Sequence, residues 1–442
     1  MSKDYFLLRF NCQLKKLTVT CFKAFVLALL VAGFCTGCGS PGSSGGGVSV
    51  PTLPEGQTID LSDPSITAAN IVASMKFGWN LGNTLDANYE NTDWNHQAGS
   101  SEIDWGHNNS ASEALFQKLY NDGIRCVRIP ISWHNHVTKV NDTWVINSGW
   151  MNHVQSVVNL AYGKGLFVII NIHHDNFNGD NLGNNPGFTL INSDLEKSEK
   201  YVKEIWQQIA ETFIDYDGHL IFETLNEPRI IGGEHEWNCP SGTWTCSECQ
   251  TYFGIINTLN QDALDTIRAT GGNNANRVVM FPAYVAAPYA AINGKNAGIF
   301  TIPSDNASDK LALSVHMYTP YNFAMEYPGS ATFTDSHKSD LASHFTALNT
   351  TFISQGIPVV IGEMGATNKD NFDARKSWFT YYLGLCKHYN VAAVLWDNGM
   401  ETNSENGSEA YGYMNRKASG GPAWFTESRA GELIEAAVNA RN

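Results

Sequence analysis

Residues 220–228 have the sequence Leu220-Ile221-Phe222-Glu223-Thr224-Leu225-Asn226-Glu227-Pro228, in which a short and mostly apolar run ends in two polar residues. Near-continuous apolar character, without alternation, is typical of a β-strand that is buried on both of its faces. The segment therefore predicts one strand of a parallel sheet, with Asn226 and Glu227 at its carboxyl end.

Seven further runs of this kind occur along the chain. The eight predicted strands are Lys76–Leu81, Arg125–Pro130, Phe167–Asn171, Leu220–Asn226, Arg277–Ala283, Leu311–Met317, Val359–Glu363 and Ala392–Trp396. Longer segments separate them, and two of these, Glu199–Phe213 and Phe253–Ile267, carry their apolar residues on one helical stripe.

Eight alternations of strand and helix predict an α/β fold, a (β/α)8 TIM barrel that occupies residues 59–442. A doubly wound open sheet is the structural alternative. Such sheets usually have a glycine-rich phosphate turn after the first strand, and Gly78-Trp79-Asn80-Leu81-Gly82 is not such a turn.

The carboxyl ends of these predicted strands are polar. Active sites of (β/α)8 barrels lie at that end, so the residues there are candidate site residues. They are Asn80, Arg128, Asn171, His173, His174, Asn226, Glu227, His316, Tyr318, Glu363, Trp396 and Asp397. Polar groups at the ends of so many apolar strands are costly unless they line a solvated site.

Two of the candidates are carboxylates on different sides of the predicted ring. Glu227 closes the fourth strand and Glu363 closes the seventh, so the two side chains can face each other across the mouth of the barrel. Cleavage of a glycosidic bond needs one protonated carboxyl group, which releases the leaving oxygen, and one ionised group that meets the anomeric carbon. The pair therefore indicates a glycoside hydrolase.

The composition agrees with a carbohydrate ligand and disfavours a nucleic acid. The 442 residues include 28 Lys and Arg against 43 Asp and Glu, a formal net charge of −15, which does not suit a phosphate-neutralising surface. Charged residues make up only 16% of the chain, whereas 12% are aromatic. A surface with few ions and many rings and amides suits an uncharged, polar, flat-faced ligand such as a sugar.

Six stretches carry a resemblance to a known family. They are Gly78-Trp79-Asn80-Leu81-Gly82-Asn83-Thr84-Leu85-Asp86, Arg128-Ile129-Pro130-Ile131-Ser132-Trp133-His134, Asn171-Ile172-His173-His174-Asp175, Glu223-Thr224-Leu225-Asn226-Glu227-Pro228-Arg229, His316-Met317-Tyr318 and Trp396-Asp397-Asn398-Gly399. From about residue 63 to its end, the chain resembles glycoside hydrolase family 5 and, within it, subfamily 4, whose members are mostly endo-β-1,4-glucanases.

The resemblance implies a retaining mechanism with the two carboxyl groups about 5–5.5 Å apart. Glu363 would be the nucleophile and Glu227 the acid and base, with a pKa that is high while Glu363 is ionised. Arg128 would keep the nucleophile ionised. The other implied substrate-site residues are Asn80, Trp133, His173, His174, Asn226, His316, Tyr318 and Trp396. Among them, Asn226 would bind the sugar 2-hydroxyl and Trp396 would stack beneath the cleaved sugar.

The resemblance and the aromatic residues in the predicted loops together indicate internal cleavage in a long cleft. The aromatic residues are Trp79, Trp94, Trp105, Trp133, Trp237, Tyr321 and Tyr411, some of which are expected to be core residues. The expected substrates are cellulose-type and mixed-linkage β-glucans. A xyloglucan-specific endoglucanase or an endo-xylanase of the same family is the alternative, and a non-catalytic glycan-binding surface lipoprotein is the alternative from a different class.

The expected reaction uses side chains alone, without a cofactor. Metal catalysis is disfavoured because no two histidines have the i, i+4 helical spacing of a zinc hydrolase. In addition, His173 and His174 are expected to point apart at a strand end. The barrel is expected to be monomeric.

The first residues resemble a bacterial lipoprotein signal, which we assign to residues 1–37. Lys15, Lys16 and Lys23 precede an apolar run, Ala24–Phe34, that is shorter than the roughly 20 residues of a membrane span. Cys38 is the predicted lipidated residue, and residues 38–58 are a predicted flexible tether rich in Gly, Ser and Pro. We therefore expect an exported cell-surface or outer-membrane lipoprotein that meets the membrane only through its lipid. Plain secretion is the alternative.

Five cysteines follow the predicted signal and tether. Cys126 and Cys386 lie in apolar segments and are predicted to be buried thiols. Three more lie close together, and in an exported protein they favour a disulfide between Cys239 and either Cys246 or Cys249. A zinc site is the alternative, although Cys246-x-x-Cys249 has no second matching pair.

Overall fold

Eight parallel strands close into a barrel in chain order in the structure, a computed structural model that describes residues 48–88, 105, 111–402 and 410–442. The barrel strands are β1 (Phe77–Asn80), β2 (Cys126–Ile129), β5 (Phe167–Asn171), β6 (Leu220–Glu223), β7 (Val279–Pro282), β8 (Leu311–His316), β9 (Val359–Met364) and β10 (Ala392–Leu395). Hairpins are formed by β3 (Val137–Val140) with β4 (Thr143–Ile146), and by β11 (Met414–Asn415) with β12 (Ala423–Trp424). The predicted strands are all present, with ends that differ by up to three residues.

A helix follows every barrel strand. The helices are α1 (Ala68–Met75), α2 (Glu113–Asn121), α3 (Ser148–Tyr162), α4 (Gly179–Leu182), α5 (Leu195–Thr212), α6 (Ser247–Ala269), α7 (Pro288–Asn296), α8 (Tyr321–Ala324), α9 (Asp335–Thr351), α10 (Phe372–Tyr389) and α11 (Ala430–Arg441). Local sequence sets several ends: the Ser112 side chain caps α2, and Asn390 ends α10 in the left-handed conformation. The (β/α)8 barrel is confirmed.

The amino-terminal end of the barrel is closed by α1. Its apolar residues Ile71, Val72 and Met75 pack in one cluster with strand residues such as Ile169 and Val360. All of these side chains are at most 2% exposed. Because one end is sealed by packed apolar side chains, the polar residues at the carboxyl ends of the strands define the open face.

The amino-terminal predictions are tested only in part. The predicted signal and Cys38 lie outside the described residues. Residues 48–58, which we predicted as part of a flexible tether, contact the barrel: the Asn159 side chain donates to the Ser49 carbonyl, and the Gln57 amide donates to the Tyr120 hydroxyl. This part of the tether is therefore docked on α2 and α3, because it finds backbone and side-chain partners there. No helix in the described part of the chain is long and apolar enough to cross a bilayer.

Candidate active site

The two predicted carboxylates meet at the open end of the barrel, together with a histidine. Glu363 lies within β9, and a shift of register between β8 and β9 pairs it with His316. Glu227 lies four residues beyond the end of β6, in the loop that follows, rather than at the strand end itself. One oxygen of each carboxylate and one ring nitrogen of His316 all lie within 4.8 Å of one another.

The side chain of Arg128, fully buried at the end of β2, joins four groups of the site. Its Nε donates to Glu223 at 2.8 Å and its Nη1 donates to Glu363 at 2.9 Å. The same Nη1 donates to Asn80, and Nη2 donates to Asn226 at 2.7 Å. The pKa of Arg128 is raised because the charges of Glu223 and Glu363 more than offset the effect of burial. A fixed positive charge therefore contacts the predicted nucleophile.

Glu223 is a site residue that we did not predict. It is fully buried, and it accepts hydrogen bonds from Arg128, from Asn171 and from the Ser314 hydroxyl. A sequence signal was available, since a carboxylate interrupts an otherwise apolar strand at this position. Buried charges are normally paired, so a carboxylate within an apolar strand predicts a cationic partner inside the barrel.

The remaining oxygens of the two predicted catalytic carboxylates have partners of their own. The Tyr318 hydroxyl donates to Glu363 Oε2 at 2.9 Å. His316 Nδ1 lies 2.6 Å from Glu227 Oε1 and 3.6 Å from Glu363 Oε2. His316 therefore contacts both carboxylates, and its closer partner is Glu227.

The pKa values of this pair differ from our expectation for Glu227. Burial alone would lower the pKa of His316, but the charge of Glu363 and the hydrogen bond to Glu227 raise it above its ordinary value. Burial likewise would raise the pKa of Glu227, but the hydrogen bond and charge of His316 lower it. This direction is opposite to our expectation of a high Glu227 pKa, because the contact with His316 favours the ionised carboxylate.

His173 and His174 form a second cluster, and our expectation that they point apart is wrong. Their rings contact edge to face with centroids 4.4 Å apart, and both have a ring nitrogen within 4.8 Å of Asp86. They lie beyond the last residue of β5, so the alternation of side chains along a strand does not apply to them. Burial lowers the pKa of both histidines, to about 4 for His174, and raises that of Asp86 to about 7.

The rings of Trp396 and His173 lie close together in the site. Their rings are nearly parallel, with an angle of 2° and centroids 6.2 Å apart. Trp396 is partly exposed and follows the last residue of β10. The Asp397 carboxylate beside it accepts from the Trp79 indole and from the backbone N–H groups of Gly399 and Met414, which fixes the loop after β10.

Three predicted substrate-binding residues are fully buried: Arg128, described above, Trp133 and Asn80. Trp133 donates its indole N–H to the Asn171 carbonyl at 2.9 Å, and Asn80 donates to the Gly362 carbonyl at 2.9 Å while it accepts from Arg128. A residue without exposed surface does not contact a sugar, so the prediction of substrate contact is wrong for these three residues. Their hydrogen bonds instead hold the residues around Glu223 and Glu363 in place.

The loop aromatic residues divide into two groups. Trp79 and Tyr411 are buried, whereas Trp105 is partly exposed, Trp237 is 59% exposed and Tyr321 is 64% exposed. The Trp105 ring lies 5.6 Å from that of His174, and the Trp237 ring stacks on Arg229 at 4.0 Å. The remaining predicted residue, Trp94, lies outside the described residues.

Two groups of side chains in the site have the spacing of possible metal ligands. One is Glu227, His316 and Glu363, and the other is Asp86, His173 and His174. In the first group, each carboxylate already accepts from a hydrogen-bond donor of the protein. A third group, His235 with Cys239, Cys246 and Cys249, lies in the loop after Glu227 and is separate from the catalytic carboxylates.

Comparisons with known proteins point to one family. The family model described as "Cellulase (glycosyl hydrolase family 5)" matches residues 85–402. Endoglucanase A of Ruminococcus albus is 36% identical over 84% of this chain and 93% of its own length. Endoglucanase B of Neocallimastix patriciarum is 39% identical over 80% of this chain and 68% of its own.

Solved structures agree with these matches. A GH5-4 broad specificity endoglucanase from Ruminococcus champanellensis, with bound cellotriose, has a TM-score of 0.73 and 36% identity, and the match covers 84% of this chain and 98% of that one. A mutant of a glycoside hydrolase 5 lichenase from Caldicellulosiruptor sp. F32, in complex with cellotetraose, has a TM-score of 0.75 and 34% identity. That match covers 89% of this chain and 100% of the lichenase.

Proposed function

Since this chain belongs to the cellulase family, glycosyl hydrolase family 5, and is an endo-β-1,4-glucanase, we propose that it cleaves cellulose-type and mixed-linkage β-glucans with retention of anomeric configuration. Glu363 is the nucleophile and Glu227 is the acid and base. One observation carries the proposal: oxygens of these two carboxylates lie within 4.8 Å of each other, and both also lie within that distance of His316.

This separation favours retention over inversion. Retaining glycosidases hold their carboxyl groups about 5–5.5 Å apart, whereas inverting enzymes need about 6.5–9.5 Å to admit a water molecule between carboxyl group and sugar. Because one oxygen of Glu227 lies within 4.8 Å of one oxygen of Glu363, the pair is closer to the retaining than to the inverting arrangement. It does allow Glu363 to attack the anomeric carbon directly, while Glu227 reaches the leaving oxygen.

The first step forms a glycosyl-enzyme. Arg128 and Tyr318 each donate to one oxygen of Glu363, which orients the carboxylate for attack. The proton that the leaving oxygen needs starts on His316 and passes to Glu227 Oε1 across the 2.6 Å hydrogen bond. Glu227 then delivers it to the departing glucosyl oxygen as the bond breaks.

The second step reverses these roles. Glu227, now ionised, takes a proton from the incoming water molecule, and the glycosyl–Glu363 ester is hydrolysed. Asn226 serves the sugar in both steps: its Oδ1 accepts from Arg128, so the group that remains for the sugar 2-hydroxyl is the Nδ2 amide. Trp396 stacks beneath the cleaved sugar, because its ring is partly exposed beside the site.

The substrate class is supported by the relatives and by the exposed rings. One structural relative is described as a broad specificity endoglucanase with cellotriose and another as a lichenase with cellotetraose, which together suggest cellulose-type and mixed-linkage chains. Trp237 and Tyr321 offer exposed faces for further sugar units. We therefore propose internal cleavage in an open cleft with several sugar subsites.

The substrate and the mode of cleavage are tested together with a panel of soluble polysaccharides. The panel contains carboxymethyl cellulose, lichenan, tamarind xyloglucan, xylan and glucomannan, and product lengths are followed over time. We expect the first two to be cleaved fastest, with polymer length falling gradually. Immediate accumulation of a single disaccharide would contradict internal cleavage, and faster cleavage of xyloglucan or xylan would replace the proposed substrate.

The mechanism is tested with one variant and one stereochemical measurement. Glu363→Gln should abolish turnover and keep oligosaccharide binding, whereas Glu113→Gln, which changes an exposed carboxyl group on α2, should leave both unchanged. Proton NMR of the first product should show the β-anomer. An α-anomer as first product, or wild-type turnover by Glu363→Gln, would overturn the assignment.

The proposal extends to the location of the enzyme. The basic residues, apolar run and Cys38 of the first 38 residues support export and attachment through a lipid. Metabolic labelling with palmitate should mark the wild-type protein and should fail for Cys38→Ala. Labelling that survives this substitution would refute the anchor and leave the proposed enzyme activity untouched.

A further inference from the structure

A cluster of three cysteines and one histidine lies in the loop after Glu227 and in the first turn of α6. One potential ligand atom from each of His235, Cys239, Cys246 and Cys249 lies within 4.8 Å of every other. Cys239 Sγ and Cys246 Sγ are 3.8 Å apart, and His235 Nε2 is 3.3 Å from Cys246 Sγ. None of these atoms belongs to the catalytic machinery proposed above.

These distances match a tetrahedral metal site better than a disulfide. With Zn–S bonds of about 2.3 Å, two thiolates of a tetrahedral zinc site lie about 3.8 Å apart. A disulfide requires about 2.05 Å. The predicted disulfide of Cys239 with Cys246 or Cys249 is therefore not formed in the structure, where all three are free thiols. A disulfide would also leave one cysteine and His235 without a role.

Local structure prepares the four side chains for a shared ligand. Cys246 is the N-cap of α6 and Cys249 lies in its first turn, with the Cys249 N–H donating to Cys246 Sγ at 3.4 Å. The start of a helix favours thiolates because its N–H groups carry partial positive charge. The buried Tyr284 hydroxyl donates to the His235 carbonyl at 2.8 Å, which holds this part of the loop from the other side.

Burial adds a further reason to expect a bound metal. Cys239 is fully buried and Cys249 is 1% exposed, whereas Cys246 and His235 are partly exposed. A site with two buried and two accessible ligands is shielded and can still be loaded from solvent. Three sulfur donors and one imidazole form a soft, four-coordinate set that selects zinc among the common divalent metals.

We propose that His235, Cys239, Cys246 and Cys249 bind one structural zinc ion, which clips the loop after Glu227 onto the start of α6. All four protein ligands are supplied by the chain, so the coordination is closed, as in structural rather than catalytic zinc sites. The zinc ion thereby fixes the conformation of this loop and the positions of its other side chains.

The clipped loop borders the active site. Trp237 lies between two of the ligands in sequence, and its exposed ring stacks on the Arg229 guanidinium at 4.0 Å. Arg229 in turn donates to the backbone carbonyl of Glu227 at 3.2 Å. The zinc ion therefore stabilises the segment that connects the catalytic acid to an exposed aromatic face.

Metal content and thiol state are measured on the same full-length protein. Elemental analysis should find about one zinc ion per chain. Tryptic peptide 230–268 holds these three cysteines and no other cysteine. After alkylation in denaturant with chelator and without reductant, this peptide should carry three labels. A single label would mean a disulfide, and three labels with no bound metal would mean an empty site; either result overturns the proposal.

Variants locate the metal. Cys249→Ser should lose the zinc, whereas Cys386→Ala, which changes a buried thiol elsewhere in the barrel, should retain it. Glu363→Gln and His173→Ala should also retain it, because they alter the two clusters in the active site that could otherwise hold an ion. Loss of zinc from Glu363→Gln or His173→Ala would overturn the assignment to the cysteine loop.

A measurement on the wild-type chain avoids dependence on variants that fail to fold. Removal of zinc by a chelator should lower the melting temperature, and reloading with zinc should restore it. Reloading with cobalt should produce the visible absorption of tetrahedral cobalt–thiolate coordination. An unchanged melting temperature, or cobalt binding without that absorption, would refute a structural thiolate site.

Discussion

Arg128→Lys is the substitution that most directly tests how the active site is held together. The guanidinium is fully buried and joins Glu223, Glu363, Asn80 and Asn226 through three different nitrogens. Lysine keeps the positive charge but concentrates its donors on a single atom. It therefore cannot reach Glu223 and Glu363 at once with the present geometry.

The expected loss follows from the hydrogen bond to the nucleophile. A hydrogen bond to a charged group contributes about 1.5–3 kcal/mol. If the ammonium remains with Glu223, the deeper partner, and the whole loss falls on the transition state, kcat decreases about 10- to 160-fold.

The assay compares kcat on a soluble β-glucan and the melting temperature with those of a matched control. Arg277 is also fully buried, but it donates to the carbonyls of Phe213, Tyr216, Asp217 and Leu220 below the barrel. Arg277→Lys should lower the melting temperature without lowering kcat of the folded enzyme. A wild-type kcat in Arg128→Lys, or an equal fall of kcat in both variants, would contradict the orienting role of Arg128.

Two further predictions concern the proton and the sugar platform. The raised pKa of His316 means that the pair it forms with Glu227 loses its proton only above about pH 6.5, so wild-type kcat/KM should fall on the alkaline side above that value. His316→Gln removes one of two sites for this proton, so the alkaline fall should move to lower pH; an unmoved limb would contradict the shared proton. Trp396→Ala should lower kcat/KM roughly 2- to 12-fold through lost stacking. The control is Trp424→Ala, which removes a partly exposed indole that donates a hydrogen bond to Asp122 and should lower only the stability. An equal loss of kcat/KM in the two variants would exclude a sugar platform at Trp396.

The barrel was predictable from sequence because its strands are buried on both faces. Segments such as Val359–Met364 and Phe167–Asn171 are almost purely apolar, and packing rather than local propensity decides their structure. Strand ends were less predictable, since they depend on hydrogen-bonding partners: Val278 continues the apolar pattern but lies before β7. The docking of residues 48–58 was not visible in a Gly-, Ser- and Pro-rich composition, because it rests on individual hydrogen bonds to α2 and α3.

The membership of the site was more predictable than its internal arrangement. Glu363, Arg128 and His316 lie near strand ends and Glu227 lies in the loop after β6, and the parallel strands bring all four to one face. Which side chains of the site are exposed depends on packing that sequence periodicity does not encode. The sequence therefore did not predict that Trp133 is buried. The direction of the Glu227 pKa shift likewise required the 2.6 Å contact with His316, which no spacing in the sequence specifies.

The charged groups of the active site also affect the stability of the transition state. With its proton on His316, the cluster has two positive groups, Arg128 and His316, and three carboxylates, Glu223, Glu227 and Glu363. Among these five groups the carboxylates therefore outnumber the cations by one, in surroundings where burial strengthens electrostatic interactions. An oxocarbenium-like transition state places positive charge on the anomeric carbon beside Glu363, so this excess stabilises the transition state more than the neutral substrate. Glu223 accounts for this excess of negative charge. Its carboxylate pairs with Nε of Arg128, while Nη1 of the same guanidinium orients Glu363.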